Sequence, residues 1–463
     1  MMLALTTRPP GWLRDYRPII SLAGPIAGIQ LAQVALTTVD LAMMGLLSVT
    51  AIAAGGLAIL LYNQLRTMSV GMVTGIGNQI AAAAGAGERR TGTDELDDRA
   101  RDEIRDLLRA GLGVATLVAV IAAGVLIGLG CALPLFGQRD EVVAVARPMM
   151  IALAPGLIPM LWLNVLRQFA VGMRRPGSLL RVTIVSIAVN AALDAAFIYG
   201  WLGLPELGAT GVGLATTLVQ VFTLVSFHLQ IRRDEHLTGL VAADWWNLDR
   251  ATAREIVKMG TPIAFTYGNE AAITSVATML MGAFGPALLA ASNVVNQLAY
   301  IVYQLNIGLS QGSSILVSRS IGRGDRAEAG HIARRALTVA AAAMTVIAVL
   351  YCLAPHAVLA LFLHSDSAEV VATASALLWF AIAHQYLKGA QNICVGLLRG
   401  LGNTTSSLRI TLIGYWGIGI PTMLAAAYLL HWRGYGIWLG LCAGFGATAI
   451  LLARQFRADL RSA

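Results

Sequence analysis

Twelve predominantly apolar stretches recur along the chain, separated by short segments rich in Arg, Asp, Gly and Pro. A membrane-spanning helix needs about 20 such residues, each adding about 1.5 Å of rise. The pattern predicts helices at 19–46, 51–80, 110–136, 147–172, 178–200, 209–231, 256–283, 289–318, 332–363, 370–398, 408–430 and 435–457. Charged side chains are sparse inside them. Between Ile19 and Leu65 the only one is Asp40. A carboxylate within a membrane helix costs roughly 2.5–3.5 kcal/mol on insertion scales, so its default reading is functional. Arg66 lies near the middle of helix 2, too deep for easy snorkelling. Either it pairs with an acidic residue or it faces a wet cavity.

Composition supports this pattern. Of 463 residues, 57% are apolar and 13% charged, against about 45–50% and about 25% in soluble domains; mean hydropathy is +0.70. The net charge of +8 would suit nucleic acid, but its placement argues otherwise. With the N-terminus on the cytosolic side, 27 basic residues fall in the N-tail, the cytosolic loops and the C-tail. Only Arg139, Arg147 and Arg433 fall on the opposite face. That asymmetry predicts an even number of spans, with both termini in the cytoplasm and the protein in the cell's inner membrane. Arg8, Arg14 and Arg17 precede a first apolar run too long for a signal-peptide core, so no cleavage is expected. Trp245 and Trp246 suit a membrane interface.

Enzyme chemistry finds little support. Cys131, Cys352, Cys394 and Cys442 lie in apolar helices without paired spacing and read as small core hydrophobes. The seven histidines form no metal-ligand pattern; His384 reads as a buried polar residue. No phosphate-cradling loop is present, which argues against ATP as fuel. No cofactor or resident metal is expected.

A shift of 237 residues aligns the chain with itself. Pro25 meets Pro262, Gly45 meets Gly282, and Gly71, Gly75, Gly85 and Gly87 meet Gly308, Gly312, Gly322 and Gly324. Thus GAGER matches GRGDR at the cytosolic end of each half's second helix, and VGMRR (171–175) resembles VGLLR (395–399). The expected fold is an all-α membrane protein of twelve helices, built as a six-helix half at 1–236, a cytosolic linker at 237–249 and a second six-helix half at 250–463. Parallel repeats of this kind occur in secondary transporters, where sites lie between or within the halves and access alternates as they rock. A duplicated channel or structural protein is the alternative.

Three segments carry a family resemblance: NAALDAAFIYGWLGLPELGATGVGLAT (190–216), QLAQVALTTVDLAMMG (30–45) and LLRGLGNT (397–404). With the duplicated layout, they make the chain resemble the multidrug and toxic compound extrusion (MATE) family over nearly its whole length. The loop is most similar to the bacterial NorM-like branch, but Asp194 stands where that branch usually has Asn; DinF-like and archaeal members carry Asp there. The resemblance implies export of organic, often cationic, compounds in exchange for Na⁺ or H⁺. It also implies a cation site of Asp40 on helix 1, Asn190 and Asp194 on helix 5, and Thr216 on helix 6. Gln33 lies about two turns before Asp40 on the same face, and Asn190 and Asp194, four apart, share a face. Burial and like charge both favour the neutral form of one carboxylate in such a pair, so it can hold a proton. Oxygen ligands of this type equally suit Na⁺.

The second half departs from the family pattern. Glu270 matches an acidic position of the NorM-like branch, but in HQYLKGAQ the usual Asp is replaced by Lys388. At 1.5 Å per residue, Glu270 and Lys388 lie roughly 18 and 16 Å from the cytosolic edge, so an ion pair is expected. Lys388 either forms a fixed structural pair, replaces a cation, or binds an acidic group on the cargo. Arg66 and Lys388 together point to zwitterionic or anionic cargo. Arg167, near a cytosolic helix end, suits snorkelling. Tyr62, Asn63, Gln64, Tyr300, Tyr303 and Gln304 either line a cavity or pack.

The leading expectation is a monomeric, cation-coupled exporter of small organic compounds, driven by H⁺ or Na⁺. The alternatives are a lipid-linked oligosaccharide flippase of the same superfamily and a non-transport membrane receptor or enzyme. A major-facilitator fold is disfavoured by the lack of its Gly- and Arg-rich Asp motif after helix 2.

Overall fold

The computed structural model describes residues 11–45, 47, 49–203, 205–241, 244–360 and 368–462. Arg8, residue 46 and residues 361–363, which include the ends of the first and ninth predicted helices, lie outside them. The chain crosses the membrane twelve times, as two halves of six helices. Helices 1 to 6 are Gly11–Gly45, Val49–Thr74 continuing as Ile76–Thr91, Asp98–Ala132, Asp140–Leu153 continuing as Leu157–Gly172, Gly177–Tyr199 and Ala209–Arg233. Helices 7 to 12 are Arg250–Gly282, Pro286–Arg323, Arg326–Leu353, Ala368–Gly400, Thr404–Leu429 and Arg433–Ser462.

Helix ends follow local chemistry. Asp97, Asp249, Asp325 and Asn403 cap helices 3, 7, 9 and 11, each side chain accepting a backbone N–H from three residues on, at 2.8–3.1 Å. All four helices start at the Arg-rich end. Arg90 donates to Asp97 at 2.9 Å and holds its carboxyl down to about 2, so the cap stays ionised. Two predicted helices are interrupted by proline. Helix 4 breaks into a 3₁₀ turn at Ala154–Gly156, which contains Pro155, and helix 9 stops at Leu353, with Pro355 opening a separate short helix, Pro355–Ala360. Proline lacks the N–H that would continue the ladder, and it disfavours helical geometry in the residue before it. Helix 11 carries two π-helical stretches, Ile413–Gly419 and Ala425–Leu429.

Among the described residues, nine helices are long and apolar enough to cross a membrane by composition alone. The other three spans are helices 2, 7 and 8. They bury Asn78, Glu270, Asn306 and Gln311, among other polar groups. Their polarity has a physical reason: they face the other half of the protein, where side chains and backbone can satisfy polar groups that lipid cannot.

The seam between the halves reproduces the sequence repeat. Gly71 of helix 2 lies against Ala264 of helix 7, and Gly308 of helix 8 lies against Ala27 of helix 1. A Cβ on either glycine would stand 2.6 Å from the facing Cα. These two contacts are equivalent under the 237-residue shift. So are two more: Gly85 packs on the carbonyl of Arg319, and Gly322 on the carbonyl of Ala82. Helices 2 and 8 therefore cross backbone to backbone. Buried apolar side chains form one group in the first half around Ile76, Ile104 and Phe169, and one in the second around Ile273, Trp438 and Phe445. A third spans the seam, joining Ile19 and Ile26 of helix 1 to Ile315 and Ile393. Two cysteines depart from expectation: Cys394 and Cys442 are buried, but Cys131 and Cys352 lie on the exposed outer surface, because their helices turn that face away from the bundle.

Overpacking usually costs about 1–3 kcal/mol, and here the added carbon meets backbone. Gly85→Ala and Gly322→Ala should each lower the melting temperature of the purified protein in detergent. Gly124→Ala, where nothing lies within 4 Å of the added carbon, should hold or raise it. Equal effects at all three positions would show that the crossing is not close.

Candidate functional site

The structure gathers the four residues expected for the cation site. Asp40 is 5% exposed, and Asn190 and Asp194 are wholly buried. The Asn190 Nδ2 group donates to Asp40 Oδ1 at 2.6 Å and to Asp194 Oδ2 at 2.8 Å, bridging the carboxylates. Thr216 Oγ1 lies 3.4 Å from Asp40 Oδ2 and donates to the Val212 carbonyl at 3.0 Å. Helix 5 supplies Asn190 and Asp194 on one face, since four residues make about one turn. Helices 1 and 6 close the cluster. Asn190 Oδ1 and Asp194 Oδ1 are buried without a hydrogen-bond partner. The cluster is thus rich in acceptors and poor in donors, which suits a bound proton or a hard cation. Asp40 and Asp194 thus share Asn190 as a common donor.

A cavity of about 50 Å³ opens beside Asp40, lined among others by Gln33, Tyr62, Asn63, Arg66 and Asn164. In this conformation that volume holds a few waters, so a drug-sized molecule enters only when the cavity widens. Gln33 belongs to this wall rather than to the carboxylate cluster. Tyr62 and Asn63 line the same space. Arg66 makes no ion pair among the described residues; it faces the cavity, its Nε buried and unpartnered. A larger groove of about 570 Å³, lined by Val143, Arg147, Pro148, Ile151 and Thr210, holds no acidic side chain.

Arg167 corrects an expectation. It does not snorkel: it is 4% exposed and donates to Gln30 Oε1 at 3.3 Å. Distance from a helix end had suggested an interfacial residue. The face on which Arg167 sits instead turns inward, against helix 1.

In the second half, Lys388 Nζ lies 3.3 Å from Glu270 Oε1, as depth alone predicts. The ammonium also sits 4.4 Å from the centre of the Tyr303 ring and 5.1 Å from that of Phe445, a cation–π arrangement. Gln304 is buried and Tyr300 exposed. His384 is a buried polar residue, edge-on to Trp438 and Phe445.

One charged group escaped the sequence analysis. Glu88 of helix 2, its side chain only 3% exposed, pairs with both Arg319 and Arg323 of helix 8. Arg319 Nε donates to Glu88 Oε1 at 2.9 Å, and Arg323 also reaches Asp94 at 3.3 Å. Deeper in the seam, Asn78 donates to Ser314 and Ser318, both at 2.8 Å. The two halves are thus latched at the Arg-rich end. The repeat marks this place through GAGER and GRGDR, but the shift matches Glu88 with Asp325, so the cross-half pairing was hidden.

Two parallel six-helix halves meeting at a polar seam, with a carboxylate cluster inside one of them, define a membrane transporter rather than an enzyme. The MatE family model matches residues 25–196 and 262–424, one stretch in each half. The chain belongs to the multidrug and toxic compound extrusion family. It is 32% identical to the probable multidrug resistance protein NorM of Pseudomonas aeruginosa, over 96% of this chain and 89% of that one. It is also 32% identical to the protein of the same name from Rhizobium meliloti, over 99% and 97%. Its fold matches a multidrug resistance MATE family transporter solved in an outward-facing conformation, with a TM-score of 0.85 and 17% identity over 97% of this chain and 96% of that one.

Glu270 and Lys388 should behave as partners. Breaking a buried pair by removing one member costs about 3–5 kcal/mol, whereas removing both is often nearly neutral. Glu270→Gln and Lys388→Met should each lower folded yield and melting temperature more than the combined variant does. Simple additivity in this double-mutant cycle would show that the contact carries no energy.

Proposed function

We propose that this protein exports small organic compounds across the cell's inner membrane, with both termini in the cytoplasm, in exchange for protons carried at Asp40 and Asp194. The observation that carries the reading is the sealed cluster of these two carboxylates around Asn190. Its second acid supplies a titratable group, and its remaining oxygens have no partner. The names of the NorM relatives support organic cargo. The one-sided distribution of basic residues supports the orientation. Lys388 occupies the region where a second cation would sit, which favours coupling through the first half alone. The protein acts as a monomer and without nucleic acid.

The physical requirement is modest. Moving one charge through 100 mV supplies about 2.3 kcal/mol, and each pH unit adds about 1.4. A proton arriving from outside removes one of the two negative charges of the carboxylate pair. Its release towards the cytoplasm restores the charge and re-primes the site. Access to the cytoplasmic side requires parting helices 2 and 8, and Glu88 with Arg319 and Arg323 is the polar tie that must break.

Asp40→Asn keeps the shape and hydrogen bonding but cannot exchange a proton. In proteoliposomes it should lose export while the folded yield stays near normal. Native export should stop when the pH gradient and potential are collapsed, and persist without sodium. Strict dependence on an imposed Na⁺ gradient at fixed pH would overturn proton coupling. Separately, Glu88→Gln should loosen the seam. Maleimide labelling of Asn78→Cys, in a background without the native cysteines, should rise several-fold in that variant. Unchanged labelling would remove the latch from the transport cycle.

A further inference from the structure

Arg66, Arg167 and Arg399 lie within the spans, Arg66 on the wall of the cavity beside Asp40, and none of them makes an ion pair among the described residues. Arg167 and Arg399 are 4% and 3% exposed. The Nε atoms of Arg66 and Arg167 are both buried without a partner. The ionisable groups near enough to act on Arg167 are Tyr267 and Arg66. The Tyr267 hydroxyl accepts from Arg399 Nη1 at 3.1 Å, and Arg399 Nε reaches Ser314 Oγ at 3.3 Å. Tyr267 thus links the second half's arginine to those of the first.

The position is set by helical geometry. Asn63 and Asn164 line the cavity beside Asp40. Arg66 and Arg167 each follow by three residues, about one turn, in helices that both run towards the Arg-rich end. Gln30, which accepts from Arg167, precedes the cavity residue Gln33 by the same step in a helix of opposite direction. All three steps lead down to one level.

Charge accounting makes this arrangement unusual. Guanidinium stays protonated in any protein environment. A buried charge without a partner is destabilising. The carboxylates buried in the spans are already engaged: Asp40 and Asp194 with Asn190, Glu270 with Lys388, and Glu88 with Arg319 and Arg323. Among the described residues no acid forms an ion pair with these arginines. Their fork of N–H groups suits a planar carboxylate, and Tyr62 and Tyr267 beside them offer aromatic surface.

Building on the exporter reading, we propose that Arg66, Arg167 and Arg399 form a subsite for the carboxylate of the cargo, so that the preferred substrates are aromatic organic acids or zwitterions rather than simple cations.

The test uses rhodamine B, which carries a free carboxylate at neutral pH, and its ethyl ester, which does not. Binding to the purified full-length protein is read by fluorescence anisotropy. The acid should bind roughly tenfold tighter than the ester, the difference expected for charge-assisted hydrogen bonds. Arg66→Gln and Arg167→Gln should abolish that preference, bringing the affinity for the acid down to about that for the ester. Arg167→Lys should keep part of it. If Arg167→Gln does not fold, Arg66→Gln alone decides, because its side chain is only half-buried at the cavity wall. Equal affinity for the two dyes, no binding of either, or an intact preference in the Arg66→Gln variant would overturn the proposal. Displacement of the acid by dioleoyl phosphatidate but not by benzoate would assign the arginines to a lipid phosphate and overturn it too. Proton-driven export of the ester in proteoliposomes separates the two readings. Export with no acid preference refutes the subsite alone, whereas acid preference without proton-driven export refutes the coupling alone.

Discussion

The contact on which the join between the halves depends is the backbone crossing of helices 2 and 8. Lipid tails are as apolar as leucine, so burial does not hold membrane helices together; close packing and hydrogen bonds do. At Gly85 and Gly322 even one methyl group is excluded. That proximity lets Asn78 reach two serines of the other half and Glu88 reach two arginines. The halves touch through equivalent surfaces, as duplication allows: helix 1 on helix 8, helix 7 on helix 2, and helices 2 and 8 on each other. A sealed Arg-rich end and a polar space above it follow from the same few small residues.

Charge inside the membrane is divided by kind. The first half encloses its two acids with an amide bridge, and the second neutralises its acid with a lysine held over two aromatic rings. Both devices leave the membrane interior less negative than its acid content suggests. Arg66, Arg167 and Arg399 tip the balance further towards positive charge. The membrane interior thus carries mixed charge, contributed by six different helices: 1, 2, 4, 5, 7 and 10.

Much of this was legible in the sequence. Helical rise fixes depth, so Glu270 and Lys388 could be matched across 118 residues from their distances to the membrane edge. The i, i+4 spacing put Asn190 and Asp194 on one face. Depth says nothing about direction around the helix axis, however. That is why Arg167 was expected at the membrane surface and proved to be buried, and why Cys131 and Cys352 were expected inside and proved to lie outside. The Glu88 latch was hidden for another reason. Its partners come from the other half, and a repeat reveals equivalent positions rather than touching ones. The π-helical turns of helix 11 have no signature in apolar periodicity, because a run apolar on every side reads alike at any pitch.

The unusual polarity of helices 2, 7 and 8 also bears on how the protein is made. These spans are satisfied in the finished molecule only because each meets the opposite half. A nascent chain has no opposite half until helices 7 and 8 have emerged. Helices 1 to 6 must therefore wait in the bilayer with the polar face of helix 2 uncovered, and helices 7 and 8 must enter against that face rather than into plain lipid. Biogenesis acquires an obligatory order and a half-built intermediate with its polar seam exposed, a natural substrate for membrane chaperones and proteases.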